Sequence, residues 1–482
     1  MSEHTPKYIT TTLPYVNDKP HMGHALEFVQ ADSLARYWRL MGREVFFNTG
    51  VDEHGQKIAR KADEAGIPYQ EYVDKYAAEF NKLKEALDLS YDAFIRTTDP
   101  AHEAAAQEMW RRCAARGDIY KKKYKGLYCV GCEAFKTETD LVDGKCPDHQ
   151  KEPEEIEEEN YFFKLSNYQD YLIEHLSKEG VVVPDFRRHE AINFVQGGLE
   201  DLSISREKKR MSWGIPVPGD DAHVMYVWFD ALTNYISTLG WPEDTDGIFK
   251  KFWAGGETLQ FAGKDQIRFQ SLIWQAMLQS AGVEATDTVF YHGFITSGGH
   301  KMSKSIGNVI DPYDLVARYG TDATRYIMLR HVHPTDDSDL TWEKMDEYYT
   351  ANLVNGLGNL TARIMKMAET HLDEPVAKPE TRTFDAEFYQ MLGELQFQAA
   401  CDIIWKAIGE LDERITNEEP FKVVKEDKEK GQQIIRELAT GLYNVGRVLH
   451  PIMPTTGKII KEAVLANKKP ENLFGRLDET GG

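Results

Sequence analysis

The chain contains no uninterrupted apolar run of about 18 residues, the length a membrane-spanning helix needs, so no membrane span is expected. Its opening, residues 1–15, lacks a basic head followed by an apolar stretch. No secretory leader is legible there, and a cytoplasmic location is expected. Positive charge is in deficit: 57 Lys and Arg stand against 78 Asp and Glu, a formal net charge of −21. That balance excludes a broadly basic coat for unspecific nucleic-acid binding, but not local basic patches. Two such patches are visible, Lys121–Lys125 and Arg206–Arg210, while the acidic run Glu154–Glu159 reads as a charged surface loop. Cysteine is scarce and odd in number, five in 482 residues, which argues against a disulfide framework. Internal repeats and a low-complexity tail are also missing.

What is present is an apolar content of 41% and a length that, at roughly 150 residues per domain, suggests about three domains. Tyr8–Leu13 is β-branched and strand-like, and a proline-punctuated turn, Pro14–Pro20, follows it. A helix is predicted from near Met22, with Ala31, Leu34, Trp38 and Met41 on one face and Gly42 as its stop. Val45–Thr49 reads as the next strand, completing a parallel strand–helix–strand unit. The expected divisions are a first α/β half (1–118), an insert (119–223), a second α/β half (224–310), a linking region (311–350) and a helical bundle (351–482). The bundle is read from two apolar stripes: Leu353, Leu357, Leu360, Ile364 and Met367, then Ile435, Leu438, Leu442, Val445 and Leu449.

Two segments carry phosphate chemistry. Pro20-His21-Met22-Gly23-His24 lies between a predicted strand and a helix N-terminus, where free N–H groups and the helix dipole favour anions. Gly23 would let a ligand approach the backbone, and His21 and His24 can donate to phosphate oxygens. The second segment is His300-Lys301-Met302-Ser303-Lys304-Ser305, flanked by Gly298, Gly299 and Gly307. Its two lysines can clamp a triphosphate, and the glycines are expected to let the loop move as a lid. A third cluster suits a metal. Cys129 and Cys132 are separated by two residues, as are Cys146 and His149, and three thiolates with one imidazole make a closed tetrahedral shell of structural zinc.

The two phosphate segments together resemble the paired signatures of the class I aminoacyl-tRNA synthetases. Met22 replaces the isoleucine of His-Ile-Gly-His, and Lys301–Ser305 matches Lys-Met-Ser-Lys-Ser throughout. Thr11–Tyr15, Asp52–Gly55, Tyr226–Leu232 and Gly263–Asp265 are similar to the methionyl branch of that family, in its single-zinc form. The resemblance implies an α/β, doubly wound Rossmann-type sheet, split by the zinc-bearing insert and followed by the helical bundle. It implies activation of methionine by ATP with Mg²⁺, then transfer to the 3′ adenosine of tRNA(Met). The catalytic residues would be His21, His24, Lys301 and Lys304. ATP would also meet Gly23, Gly263, Asp265, His292, Gly293 and Ser303. Methionine would meet Leu13, Tyr15, Asp52, Trp228, Ala231, Tyr235, Gln270 and Trp274, with Arg206 a candidate for its carboxylate. Gln266 and Gln270 depart from the family's usual isoleucine and histidine. Asn359 and Arg363, four apart on one helix face, would read anticodon bases, and Phe421 would stack on one. The insert is too short for the large editing domain of the leucine, isoleucine and valine enzymes. No DNA partner is implied, and a monomer is expected from the ending soon after the bundle. Three other readings stay open at this point: a synthetase for another amino acid, an inactive RNA-binding paralogue, and a zinc-dependent hydrolase.

Overall fold

The computed structural model describes residues 5–129, 134–136, 138–147, 150–301, 309–379 and 384–477. It divides into two compact units. One holds the chain up to Pro20, Arg43–Lys82 and Tyr91–His292, and the other His21–Gly42, Leu83–Ser90 and Gly293 onward.

The first unit is built on a six-stranded sheet in the spatial order Ala93–Arg96, Val45–Val51, Lys7–Thr11, Glu257–Gly263, Thr288–His292, Val182–Val183. All neighbours run parallel. Parallel strands buried on both faces need apolar or β-branched residues throughout, and Tyr8, Ile9, Thr10 and Thr11 are all fully buried. The order reverses between Lys7–Thr11 and Glu257–Gly263. Such a switch point leaves a crevice at the carboxyl ends of the strands, where ligands bind in doubly wound sheets. The expected insert, residues 119–223, contributes the edge strand Val182–Val183.

The insert corrects one expectation. Glu154–Glu159 is not a loop but the start of the strand Glu154–Phe163, paired antiparallel with Ile119–Cys129. The acidic run therefore zips against the first basic patch, with Lys123 opposite Glu159 and Lys125 opposite Glu157. Lys125 lies 2.5 Å from Glu155, and Lys121 lies 3.4 Å from Glu159 and 2.9 Å from Asp220. Opposite charges facing each other across a ladder favour this pairing and this register. The second patch is partly internal as well. Arg206 is buried, its guanidinium 5.2 Å from the Tyr128 ring and 4.5 Å from that of Tyr226. Arg210 reaches Glu158 at 2.7 Å.

In the second unit the helix Met22–Leu40 buries Ala31 and Leu34 and half-buries Trp38. Met41 falls outside the predicted stripe: it is the C-cap, past the last turn, and is 49% exposed. Gly42, at φ +79°, takes the left-handed conformation that ends the helix. Asp32 and Arg325 anchor this helix from within. Both are fully buried, with Arg325 Nη1 2.7 Å from Asp32 Oδ2. The guanidinium also donates to the carbonyls of Ile452 (2.9 Å), Leu87 (3.0 Å) and Pro451 (3.0 Å). Asp32 accepts from Arg36 Nε at 2.7 Å and from Ser90 N and Oγ at 2.6 Å. Burial alone would raise the Asp32 pKa, but Arg325, Arg36 and Ser90 outweigh it and hold the carboxyl below its ordinary value.

The C-terminal helices carry the predicted stripes with one shift. Leu353, Leu357, Leu360 and Ile364 are buried, but the next core positions are Met365 and Ala368, and Met367 is only half-buried. The segment Tyr349–Gly358 is a π-helix, whose wider turn re-phases the side chains entering Asn359–His371. The stripe from Ile435 to Leu449 is buried throughout.

Candidate active site

The helix N-terminus at His21 is organised by its two histidines. His21 is the N-cap, and its Nδ1 accepts from the Gly23 N–H at 3.1 Å. His24 Nδ1 accepts from the His21 N–H at 3.3 Å, closing a reciprocal capping box. The rings stack with centroids 3.7 Å apart. Because both Nδ1 atoms accept, each neutral ring carries its proton on Nε2, the tautomer that can donate to a phosphate oxygen. Gly23 is needed for a reason the sequence did not reveal: a Cβ there would lie 2.9 Å from His21 Cε1 and 3.0 Å from its Nδ1. The glycine makes room for the folded-back ring. Met22 N–H donates to the Ile310 carbonyl at 3.1 Å, tying the helix start to the chain just beyond the lysine loop.

Lys301 is placed by a hairpin. Ile295–Ser297 pairs with His300–Lys301, with Thr296 opposite Lys301. Gly298 (φ +63°) and Gly299 (φ +76°) are the two central residues of the tight turn, which needs left-handed backbone at both positions. In this structure the two glycines form the turn of the hairpin that leads into the lysine segment. Gly299 N–H donates to Asp339 Oδ1 at 2.7 Å, and Ile295–Ser297 pairs on its other side with Ser338–Asp339. The glycines before the loop pin its entrance. Ser303, Lys304 and Gly307, and the side chain of Lys301, lie outside the described residues. Gly293, immediately before this hairpin, passes so close to the backbone of Asp336 that a Cβ would lie 2.2 Å from its carbonyl.

In the first unit, Leu13 and Tyr15 follow the strand Lys7–Thr11 at its carboxyl end, both half-buried. Tyr15 is bridged to Asp52, which is 4% exposed. Trp228, half-buried, stacks on Phe269 at 3.8 Å, a partner that the sequence did not single out. Tyr235 and Gln270 are buried, with Gln270 Nε2 donating to Tyr235 Oη at 2.7 Å, and Tyr235 packs against Trp274 with centroids 5.6 Å apart. Trp274 is wholly enclosed, and its indole donates to Thr286 Oγ1 at 3.2 Å. Ala231 is buried on the short helix that also carries Trp228. On the other side of the switch point, Gly263 is paired in register with the buried His292. A Cβ on Gly263 would press on Asp265 Oδ1 at 2.8 Å.

The helix that carries Trp228 also carries one member of a buried charge network that sequence spacing gave no sign of. Asp230 is fully buried and accepts from His54 Nδ1 at 2.7 Å and from His102 Nε2 at 2.8 Å. Burial would lower the His54 pKa, but Asp230, with Glu103 and Glu53 beyond, outweighs it and raises it above the ordinary value.

Cys129 and Cys146 are buried (3% and 0% exposed), while Cys132 and His149 lie outside the described residues. Cys113 and Cys401 are enclosed, and burial pushes the Cys113 thiol up to about 12, so both are inert thiols. On the helical side, Asn359 is exposed, Arg363 is ion-paired with Asp412, and Phe421 is 40% exposed.

A family model described as tRNA synthetases class I (M) matches residues 7–155 and 140–365. The chain belongs to the class I methionyl-tRNA synthetases. It is 41% identical over 466 residues to the methionine–tRNA ligase of Caldanaerobacter subterraneus subsp. tengcongensis, covering 94% of this chain and 72% of that one. It is 40% identical to the methionine–tRNA ligase of Rhizobium meliloti, covering 100% and 96%. The solved structure of Mycobacterium tuberculosis methionyl-tRNA synthetase in complex with methionyl-adenylate is similar with a TM-score of 0.88 at 35% identity, over 99% of each chain. The doubly wound α/β fold with a helical C-terminal region, expected from the resemblance, is the fold of this family. Among the described residues no helix is long and apolar enough to cross a membrane.

Proposed function

We infer that this chain is a methionine–tRNA ligase, working in the cytoplasm. Membership of the methionyl family carries the reading, and the tautomers at His21 and His24 support its chemistry. The methionine carboxylate is already ionised and attacks the α-phosphate of ATP, forming the acyl–phosphate bond as the bond to pyrophosphate breaks. No general base is needed. Catalysis is positioning plus stabilisation of charge on the phosphates. The Nε2–H groups of His21 and His24, with Lys301 and Lys304, would supply that charge, and Mg²⁺ on the phosphates would add to it. Ser303 and Gly293 would lie along the nucleotide. Gly263, Asp265 and His292 would take the adenosine at the switch point, with the ribose hydroxyls on the Asp265 carboxylate. Asp52 would pair with the substrate ammonium, and Leu13, Tyr15, Trp228, Ala231, Tyr235, Gln270 and Trp274 would form or back the wall around the thioether. Aromatic faces suit a polarisable sulfur. The terminal ribose hydroxyl of tRNA(Met) then attacks the acyl carbon and AMP leaves.

ATP–pyrophosphate exchange measured with each amino acid in turn tests the reading. Exchange should depend on methionine, and dependence on another amino acid, or on none, would refute it.

The insert would hold one structural zinc through Cys129, Cys132, Cys146 and His149. The donor chemistry fits: Cys129 and Cys146 are buried sulfur donors, and the Cys146 carbonyl accepts from the Gln150 N–H at 2.8 Å. Zinc bound there would bridge two segments of the insert and add to its folding stability. Elemental analysis of the purified protein should find one zinc per chain, and a Cys146→Ser variant should lose it. Metal-free protein with unchanged thermal stability would be the contrary result.

The helical region 351–482 would read the anticodon through Asn359, Arg363 and Phe421. Phe421 is 40% exposed, and its ring would stack on an unpaired base, an interaction worth about 1–3 kcal/mol. Phe421→Ala should therefore raise the KM for tRNA(Met) about tenfold or more while ATP–pyrophosphate exchange stays normal. Lost exchange would instead mean that Phe421 supports the fold.

A further inference from the structure

We propose that Asp230, held between His54 and His102, is a positioning residue that joins the two walls of the methionine pocket and fixes their spacing; the proposal rests on the assignment of Asp52 and Trp228 to that pocket. Asp230 belongs to a helix of only five residues, Val227–Ala231, with no side-chain cap. A helix so short has almost no stability of its own, so its orientation is set by tertiary contacts. Trp228 and Ala231 flank Asp230 on this helix. The Asp230 carboxylate spends both oxygens on histidines from other elements: Oδ2 on His54 and Oδ1 on His102.

His54 connects Asp230 to the segment that carries Asp52. It stands two residues after Asp52, and its backbone N–H lies 3.3 Å from Asp52 Oδ1. The path Trp228–Asp230–His54–Asp52 therefore joins the aromatic wall to the carboxylate that would take the ammonium. His102 comes from the helix Pro100–Ala115, which carries none of the pocket residues, and its other nitrogen, Nδ1, lies 2.8 Å from Ser237 Oγ. Its Nε2 holds the second oxygen of Asp230 while Ser237 fixes the ring from the other side. A buried carboxylate that loses a charge-assisted partner must rotate or admit water to recover it. Either response releases its grip on His54 and lets the walls shift.

Substitution at His102 tests this in the full chain by steady-state ATP–pyrophosphate exchange. His102→Leu should raise the methionine KM about tenfold, the scale of one lost hydrogen bond to a buried charge, and leave the ATP KM within about twofold. His102→Gln places an amide donor at the level of Nε2 and should restore the methionine KM to within about threefold of the unsubstituted protein. An unchanged methionine KM in His102→Leu, a parallel rise in the ATP KM, or an equal rise in the Gln variant would each overturn the positioning role. Should His102→Leu fail to fold, His102→Asn carries the test, because its shorter amide stops short of Asp230 and the same KM rise is expected. Absence of methionine-dependent exchange in the unsubstituted protein would overturn the functional reading itself. Intact exchange with an indifferent His102 variant would overturn the positioning role alone.

Discussion

Replacing Arg325 by methionine should destabilise the second unit by about 3–5 kcal/mol, the cost of stripping one partner from a buried ion pair. The side chain is fully buried, so no water stands ready to take its place. Its loss leaves Asp32 without its partner at 2.7 Å and the carbonyls of Leu87, Pro451 and Ile452 without their donor. Those acceptors belong to segments far apart in the chain, and one guanidinium, with its rigid fork of donors, serves them all. Lysine cannot replace it, since a single ammonium cannot reach the same set of acceptors. Arg325→Lys should therefore recover only a small part of the loss. Asp32→Asn keeps one oxygen for Ser90 N and Oγ but removes the negative charge that faces both Arg325 and Arg36, and should also destabilise the unit. Chemical denaturation followed by circular dichroism measures all three. A loss below about 1 kcal/mol for Arg325→Met would mean the network is a surface-like pair of little worth.

Gly23→Ala is expected to separate activity from stability. Gly23 does not have positive φ, so alanine is compatible with its backbone and gains about 1 kcal/mol of helix propensity. Against that, the new methyl group lies 2.9 Å from His21 Cε1 and drives the ring away, which removes a capping hydrogen bond of similar size. The melting temperature should barely move. The stacked pair of rings cannot survive, and with it goes the alignment of two Nε2 donors. Loss of preorganised donors to a phosphoryl-transfer transition state costs about a hundredfold or more in rate. The rate of methionyl-adenylate formation, measured in a single turnover, should fall by about that factor, with methionine binding retained. A variant that forms adenylate at the normal rate would show that the His21 ring position is catalytically irrelevant. A variant that is unfolded would show that the cap outweighs the propensity.

Much of this was legible from local signals. Ala31, Leu34 and the stop at Gly42 follow from a 3.6-residue period and one left-handed glycine, both properties of a few neighbouring residues. The stripe from Ile435 to Leu449 is of the same kind. Local signals misled where a distant partner or an altered helical repeat intervened. Glu154–Glu159 is so acidic that it reads as a solvated loop, yet the lysines of Ile119–Cys129 supply the countercharge that makes it a strand. Met367 fails because a π-helical stretch changes the repeat upstream of it.

The motifs at His21–His24 and Lys301–Ser305, the cysteine spacing and the membership of a synthetase family were therefore decided by the sequence alone. Each depends on residue types at short fixed separations, and short separations survive folding unchanged. Only the tertiary structure decided why Gly23 must be glycine, which residue stacks on Trp228, and that Asp32 and Arg325 anchor the helix carrying His21. It alone brought His54, His102 and Asp230 into one buried network, from positions up to 176 residues apart. Such partners are chosen by how strands and helices pack, and a buried charge accepts whichever donor the packing delivers.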